Sequence, residues 1–220
     1  STCCVFNLEI HTKYGHNTLH MKHFFKFALV FLIIFVGVLK TPFANDTLKG
    51  MQLGNDDAPI TVIEYRSLTC SHCGEFSKVT FPELKEKYID TGKIKFELRP
   101  FALNATDLNA FKLLHCANEK DFFSLEKLLF EDQQKWIVSS SVDENTEALR
   151  KYGLLFGITK DQYNSCLEDE EITDFIITMR MEGSQKYNIS STPSFVINDE
   201  VYGGYRNFED FEKIIQKSVN

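Results

Sequence analysis

The stretch Ile60-Thr61-Val62-Ile63-Glu64-Tyr65-Arg66-Ser67-Leu68-Thr69-Cys70-Ser71-His72-Cys73 decides the fold of this 220-residue chain. Its first seven residues alternate and are rich in β-branched side chains, which predicts a strand. Beyond Cys73, the residues Phe76, Val79, Leu84 and Tyr88 recur at roughly helical spacing. They predict a helix that Pro82 bends rather than ends. A Cys-x-x-Cys between a strand and a helix lets two sulfurs close into a small ring. It also sets the first sulfur where helix N–H groups converge and favour negative charge. That is the geometry of a thiol–disulfide redox centre. The same spacing serves as half of a zinc site, with His72 as a third ligand. Only His115, Cys116 and Cys166 remain downstream of residue 73 to complete such a site, and three ligands in one short turn are strained, so zinc is the weaker reading.

Two further positions bear on that chemistry. Glu64 lies six residues before Cys70, inside the predicted strand and among apolar neighbours. A buried carboxyl beneath the thiols has a raised pKa and can move protons during disulfide exchange. The competing reading is an ordinary solvent-facing glutamate. Far downstream, Thr192-Pro193 precedes the apolar run Ser194-Phe195-Val196-Ile197 and a turn at Asn198-Asp199. A proline is tolerated at the first residue of a strand, and a cis X-Pro bond marks a specific tight turn. Together with Cys70-x-x-Cys73 it predicts a cis bond whose flanking backbone at Thr192 is free to pair with an extended peptide.

The set Glu64, Cys70-Ser71-His72-Cys73, Thr192-Pro193-Ser194-Phe195 and Gly203-Gly204-Tyr205 resembles the DsbA family of thiol–disulfide oxidoreductases, from about Ile60 to Gln216. The resemblance implies an α/β thioredoxin fold with an inserted helical domain. It implies Cys70 as nucleophile, Cys73 as resolving thiol, His72 tuning the thiolate and Glu64 transferring protons. It implies reduced, unfolded secreted proteins as substrates and a quinone-linked membrane oxidase that restores the disulfide. Two departures stand out. The lysine that often accompanies the buried acid has no counterpart: Leu98 takes its place, with Lys95 and Arg99 only nearby. Thr192 stands where the family commonly has valine, and threonine is more usual in isomerases and reductases. A disulfide isomerase or reductase is therefore the alternative activity.

The separation of 120 residues from Cys73 to Pro193 exceeds what a plain thioredoxin needs. Apolar stripes at helical spacing fill the excess: Leu108, Phe111 and Leu114; Phe122, Leu125, Leu128 and Leu129; Leu149, Tyr152 and Leu155; Ile172, Phe175, Ile176 and Met179. Asn104 or Thr106, Asp143 and Thr159 are candidate N-caps. The thioredoxin-like parts are expected at 59–103 and 188–220, and the helical insertion at 104–187. Ile94–Leu98 reads as a strand stopped by Pro100. The last helix is expected to be capped by Asn207, with Phe208, Phe211, Ile214 and Ile215 inward.

Ahead of this lies a segment that reads as an export signal. Lys22, His23 and Lys26 make a basic start, Phe27 to Leu39 carries no charge, and Thr41-Pro42-Phe43-Ala44 ends on a small residue. This is a signal-peptide pattern over 21–44, with an uncleaved anchor as the alternative. Met21 is the expected start, which makes 1–20 an extension, and 45–58 reads as a flexible lead-in. Without residues 1–44, 20 basic face 30 acidic residues, a net charge of −10 against −7 for the whole chain. That balance, with no Gly-rich phosphate loop, argues against nucleic acid. No cofactor or metal is expected, and a periplasmic monomer is. Four cysteines remain: Cys70, Cys73, Cys116 and Cys166. An even number in an exported protein suggests two disulfides. Joining Cys116 to Cys166 closes a loop of about 50 residues, worth up to about 4 kcal/mol; two buried free thiols are the other possibility.

Overall fold

The computed structural model describes residues 50–219. The expectations for the extension, the start at Met21 and the signal segment lie outside the described residues. A five-stranded sheet forms the centre, in the order β1 (Met51–Leu53), β3 (Ile94–Pro100), β2 (Ile60–Arg66), β4 (Ser194–Ile197) and β5 (Glu200–Gly203). β2 and β3 run parallel, and the other three pairings are antiparallel. The parallel pair needs a crossover, and helix α1, which runs from Ser71 to Ile89, supplies it. β2 is central and covered on both faces, so Val62, Glu64, Tyr65 and Arg66 are all buried. β1 corrects part of the expected flexible lead-in. Met51-Gln52-Leu53 is too short for its alternation to stand out, yet it pairs with Phe96–Leu98. Pro100 does end β3, but two residues later than expected, and the N–H of Phe101 then donates to the carbonyl of Arg66.

Helix α1 starts at Ser71–Glu75 and continues through two π-turns, Phe76–Thr80 and Lys85–Ile89, on either side of Phe81–Leu84. Pro82 sits in the first turn of that middle segment. Its missing N–H and its ring would break an α-helical ladder there. The i→i+5 bond from the N–H of Phe81 to the carbonyl of Phe76 absorbs the misfit, so the helix is re-pitched without stopping. Phe76 from α1 then meets Phe195 of β4 and Phe211 of the last helix, with ring centroids 4.7 and 5.6 Å away.

Between β3 and β4 come α2 (Ala105–Cys116), α3 (Phe122–Glu131), α4 (Gln133–Trp136), α5 (Val142–Leu155), α6 (Lys160–Glu168) and α7 (Glu170–Tyr187). Asn104 caps α2, and Thr159 caps α6 in a reciprocal capping box with Gln162. The cap of α5 is Ser141, not the expected Asp143, which lies inside the first turn. Helix α7 returns to the sheet. There Gly183 packs against the ring of Tyr65, where a Cβ would lie 2.8 Å from the ring edge. Arg99 bridges Tyr65 and Glu182 at 3.0 and 2.7 Å. The chain closes with α8 (Phe208–Val219), whose first turn is capped by Asn207 and whose Phe211 and Ile215 are buried. Among the described residues no helix is long and apolar enough to cross a membrane.

Candidate functional site

β2 ends in a loop, Ser67-Leu68-Thr69, that delivers Cys70 to the N-cap of α1. The loop is short and its backbone groups need partners, which the helical insertion provides. Asp107, buried in the first turn of α2, accepts from the N–H of Leu68 at 2.8 Å and of Leu103 at 2.9 Å. Burial pushes its carboxyl up to about 6. Gln133, the first residue of α4, donates its amide to the carbonyls of Leu68 (2.7 Å) and Cys70 (3.0 Å). The carbonyl of Cys70 also accepts the first helical bond, from the N–H of Gly74.

The two thiols of the pair are free and differ sharply. Cys70 is half-buried, and its sulfur donates to the carbonyl of Thr192 at 3.3 Å. Its pKa falls to about 5. The largest cause is the hydrogen bond from the Cys73 thiol. The Thr192 side chain and the N–H groups of Cys73 and His72 add to it, against the opposing cost of burial. Cys73 is fully buried, and burial pushes its pKa well above the ordinary thiol value, with the neighbouring Cys70 and Glu64 adding to the rise. His72 reaches Cys70 through its backbone N–H, and its side chain is exposed. The Thr192–Pro193 bond is cis and lies directly against Cys70.

Glu64 lies beneath the pair with no solvent exposure. Burial raises its carboxyl to about 7, even though the guanidinium of Arg66 lowers it. Leu98 is its register partner on β3. Lys95 pairs instead with Asp56, and Arg99 with Glu97 and Glu182, so neither reaches it. Its cation is Arg66, which sequence reasoning missed although the signal was present: residues i and i+2 of a strand share a face. A second carboxylate, Glu126 of α3, approaches Arg66 at 2.9 Å. Glu126, Asp107 and Gln133 were missed too. Nothing in a helical stripe marks which of its polar members turns inward.

Beside the loop, Thr69, Leu103, Asn104, Ile137, Val142 and Asn145 line an open groove of about 530 Å³. The remaining cysteines are elsewhere. Cys116 and Cys166 are bonded to one another within the helical insertion, joining α2 to α6 across 50 residues. Among the described residues no group of three or more His, Cys, Asp or Glu is arranged to hold a metal ion.

Comparison with known proteins agrees with this geometry. A family model described as thioredoxin matches residues 46–217. A protein-disulfide oxidoreductase of Rickettsia bellii is 39% identical over 174 residues, covering 77% of this chain and 66% of the relative. The chain thus spans just under two thirds of that relative's length, and 55% of a similarly named protein of Rickettsia conorii. The structure of α-DsbA1 from Wolbachia pipientis superposes with a TM-score of 0.71 at 34% identity, covering 81% of this chain and 93% of that one. BdbD from Bacillus subtilis shares the fold at a TM-score of 0.61 and 22% identity, covering 77% of this chain and 92% of that one.

Proposed function

Because the chain belongs to the DsbA branch of the thioredoxin family, we propose that it donates its Cys70–Cys73 disulfide to reduced proteins outside the cytoplasm. The observation that carries this is the asymmetry of the two thiols. Cys70 is depressed to about 5 and half-exposed; Cys73 is raised and buried. A substrate thiolate attacks the sulfur of Cys70, the ring disulfide breaks, and the electron pair leaves on Cys73, which takes up a proton. A second substrate thiolate then attacks the substrate sulfur of the mixed disulfide and expels Cys70 as a stabilised thiolate. Two electrons pass from substrate to enzyme. Stabilising the Cys70 thiolate favours the reduced product, which makes the oxidised form a strong oxidant.

The carbonyl of Thr192 lies at the attacked sulfur, and the groove over Leu103, Ile137 and Val142 begins at Thr69, the residue before Cys70. An extended, unfolded peptide fits that arrangement, its backbone pairing beside Pro193 and an apolar side chain resting in the groove. His72 contributes to the thiolate through its N–H, and Glu64 holds the proton. The basic-apolar segment before Ala44 and a disulfide within the insertion support export. Reoxidation falls to a quinone-linked membrane oxidase, and the working form is a monomer. The test is oxidation of a peptide dithiol, with the reduction potential set against glutathione. We expect a potential nearer to about −120 mV than to about −270 mV. A value at the lower end, or strong refolding of scrambled ribonuclease with weak dithiol oxidation, would turn the assignment to the reductase or isomerase that Thr192 favours.

A further inference from the structure

Three ionisable side chains lie buried beneath the cysteine pair, and they come from two parts of the fold. Glu64 and Arg66 share one face of β2, and Glu126 reaches in from α3 of the insertion. Nη2 of Arg66 meets Glu64, and Nη1 lies 2.9 Å from Glu126. The side chains are 0, 1 and 5% exposed for Glu64, Arg66 and Glu126. The rings of Phe81, Phe96 and Phe130 close around the guanidinium at 5.6–5.9 Å. One buried cation therefore faces two buried carboxyls. In so apolar a site an uncompensated second negative charge is costly, so the two acids hold one proton between them.

We propose that Glu126 is a positioning residue for the redox pair: by sharing the charge of Arg66 it keeps a proton on Glu64, ready for Cys73 when the disulfide opens. This rests on the oxidoreductase reading above. The groups facing Glu64 are Arg66 on its own strand, Glu126 from α3, and Cys70 and Cys73 at the start of α1. When a substrate thiolate bonds to the sulfur of Cys70, the ring S–S bond breaks and its electron pair moves onto Cys73. That sulfur, whose thiol form burial favours, takes the proton of Glu64. Glu64 becomes a carboxylate beside Arg66 and is reprotonated from solvent after the substrate disulfide leaves. Without the charge of Glu126, Arg66 would pair with Glu64 alone and hold it as carboxylate, leaving the departing sulfur no donor and a like charge nearby.

The experiment follows opening of the Cys70–Cys73 disulfide by excess dithiol from pH 5 to 9, with acid quench and thiol alkylation, after correction for the dithiol's own ionisation. The wild-type rate should inflect near pH 7. In E126Q the inflection should move down by about one unit and the rate at pH 7 fall about fivefold, while E126D keeps the wild-type inflection. An unmoved inflection in a folded E126Q with lowered melting temperature would overturn the proposal and leave Glu126 a packing residue. Should E126Q not fold, carboxyl-carbon NMR of the wild-type protein decides. A step near pH 7 at Glu64, with Glu126 carrying negative charge across it, supports the proposal, and a Glu126 protonated throughout overturns it. A wild-type disulfide that no dithiol opens at any pH would instead sink the oxidoreductase reading itself.

Discussion

The molecule holds two cysteine pairs, and they are built in opposite ways. Cys70 and Cys73 are three apart in sequence and sit at a helix N-terminus. They are pushed apart in pKa by unequal burial and hydrogen bonding. Cys116 and Cys166 are 50 apart and bonded between two helices, with a Cα–Cα distance of 6.0 Å. The first pair closes almost no loop, so its bond adds little by constraining the unfolded chain; its effect lies in how unequal the two sulfurs are. The second pair closes a long loop, and its effect is stability. On the proposed function the same bond type is thus reagent in one place and fastener in the other, and the environment decides which.

The largest expected effect tests the reagent. Cys70→Ser should abolish peptide-dithiol oxidation by at least about a thousandfold, because the attacked sulfur is gone. Its melting temperature should stay within a few degrees of the reduced wild type. A large loss of stability would put Cys70 among the structural groups and erase the contrast. The fastener is tested by the double change C116S/C166S. Denaturant unfolding should show a loss of up to about 4 kcal/mol, with dithiol oxidation retained. Loss of oxidation in a folded double variant would mean that the two pairs are one system.

A third measurement sharpens the asymmetry within the reactive pair. Thiolate absorbance of the reduced protein should titrate near pH 5 for Cys70, with Cys73 silent below about pH 9. The signs for stability oppose each other. The folded pKa of Cys70 lies below its unfolded value, so its contribution is present at high pH and fades as pH falls through about 5. Glu64 is raised from 4.5 to about 7, so the folded state keeps a proton that the unfolded state has lost. Its contribution is full below 4.5 and disappears as pH rises to 7, a change of about 3 kcal/mol. In E64Q that decline should flatten; an unchanged slope would place the titration elsewhere. The smallest effect belongs to Gln133. Truncation to Ala leaves the carbonyls of Leu68 and Cys70 without its amide, and should cost about 1 kcal/mol and nudge the Cys70 titration upward. No movement in the titration would show that the loop keeps its shape unaided.

Much of this was legible in the chain. The alternation of Ile60–Arg66, the Cys70-Ser71-His72-Cys73 spacing and Thr192-Pro193 are local signals, and each lands where its spacing put it. Asn104 and Thr159 carry their capping roles in their side chains. What escaped is non-local. β1 is three residues whose strand character comes only from pairing with β3. Ser141 displaced Asp143 as a cap because both are good cap residues two positions apart, and helical periodicity fixes an end only to within a residue or two. Arg66 was overlooked because the counter-charge for Glu64 was sought across the sheet, at Leu98, when it lay along the strand. Glu126, Asp107 and Gln133 needed the packing of the insertion against the sheet.

Those last three residues have a consequence for portability. The loop before Cys70 is held by Asp107 and Gln133, and the acid beneath it shares its cation with Glu126. All three are carried by helices that a bare thioredoxin core lacks. Grafting Cys70-Ser71-His72-Cys73 onto such a core would carry over the letters and leave their scaffolding behind. The tetrapeptide is the visible tip of a much larger part, and the smallest transplantable unit here includes α2, α3 and α4.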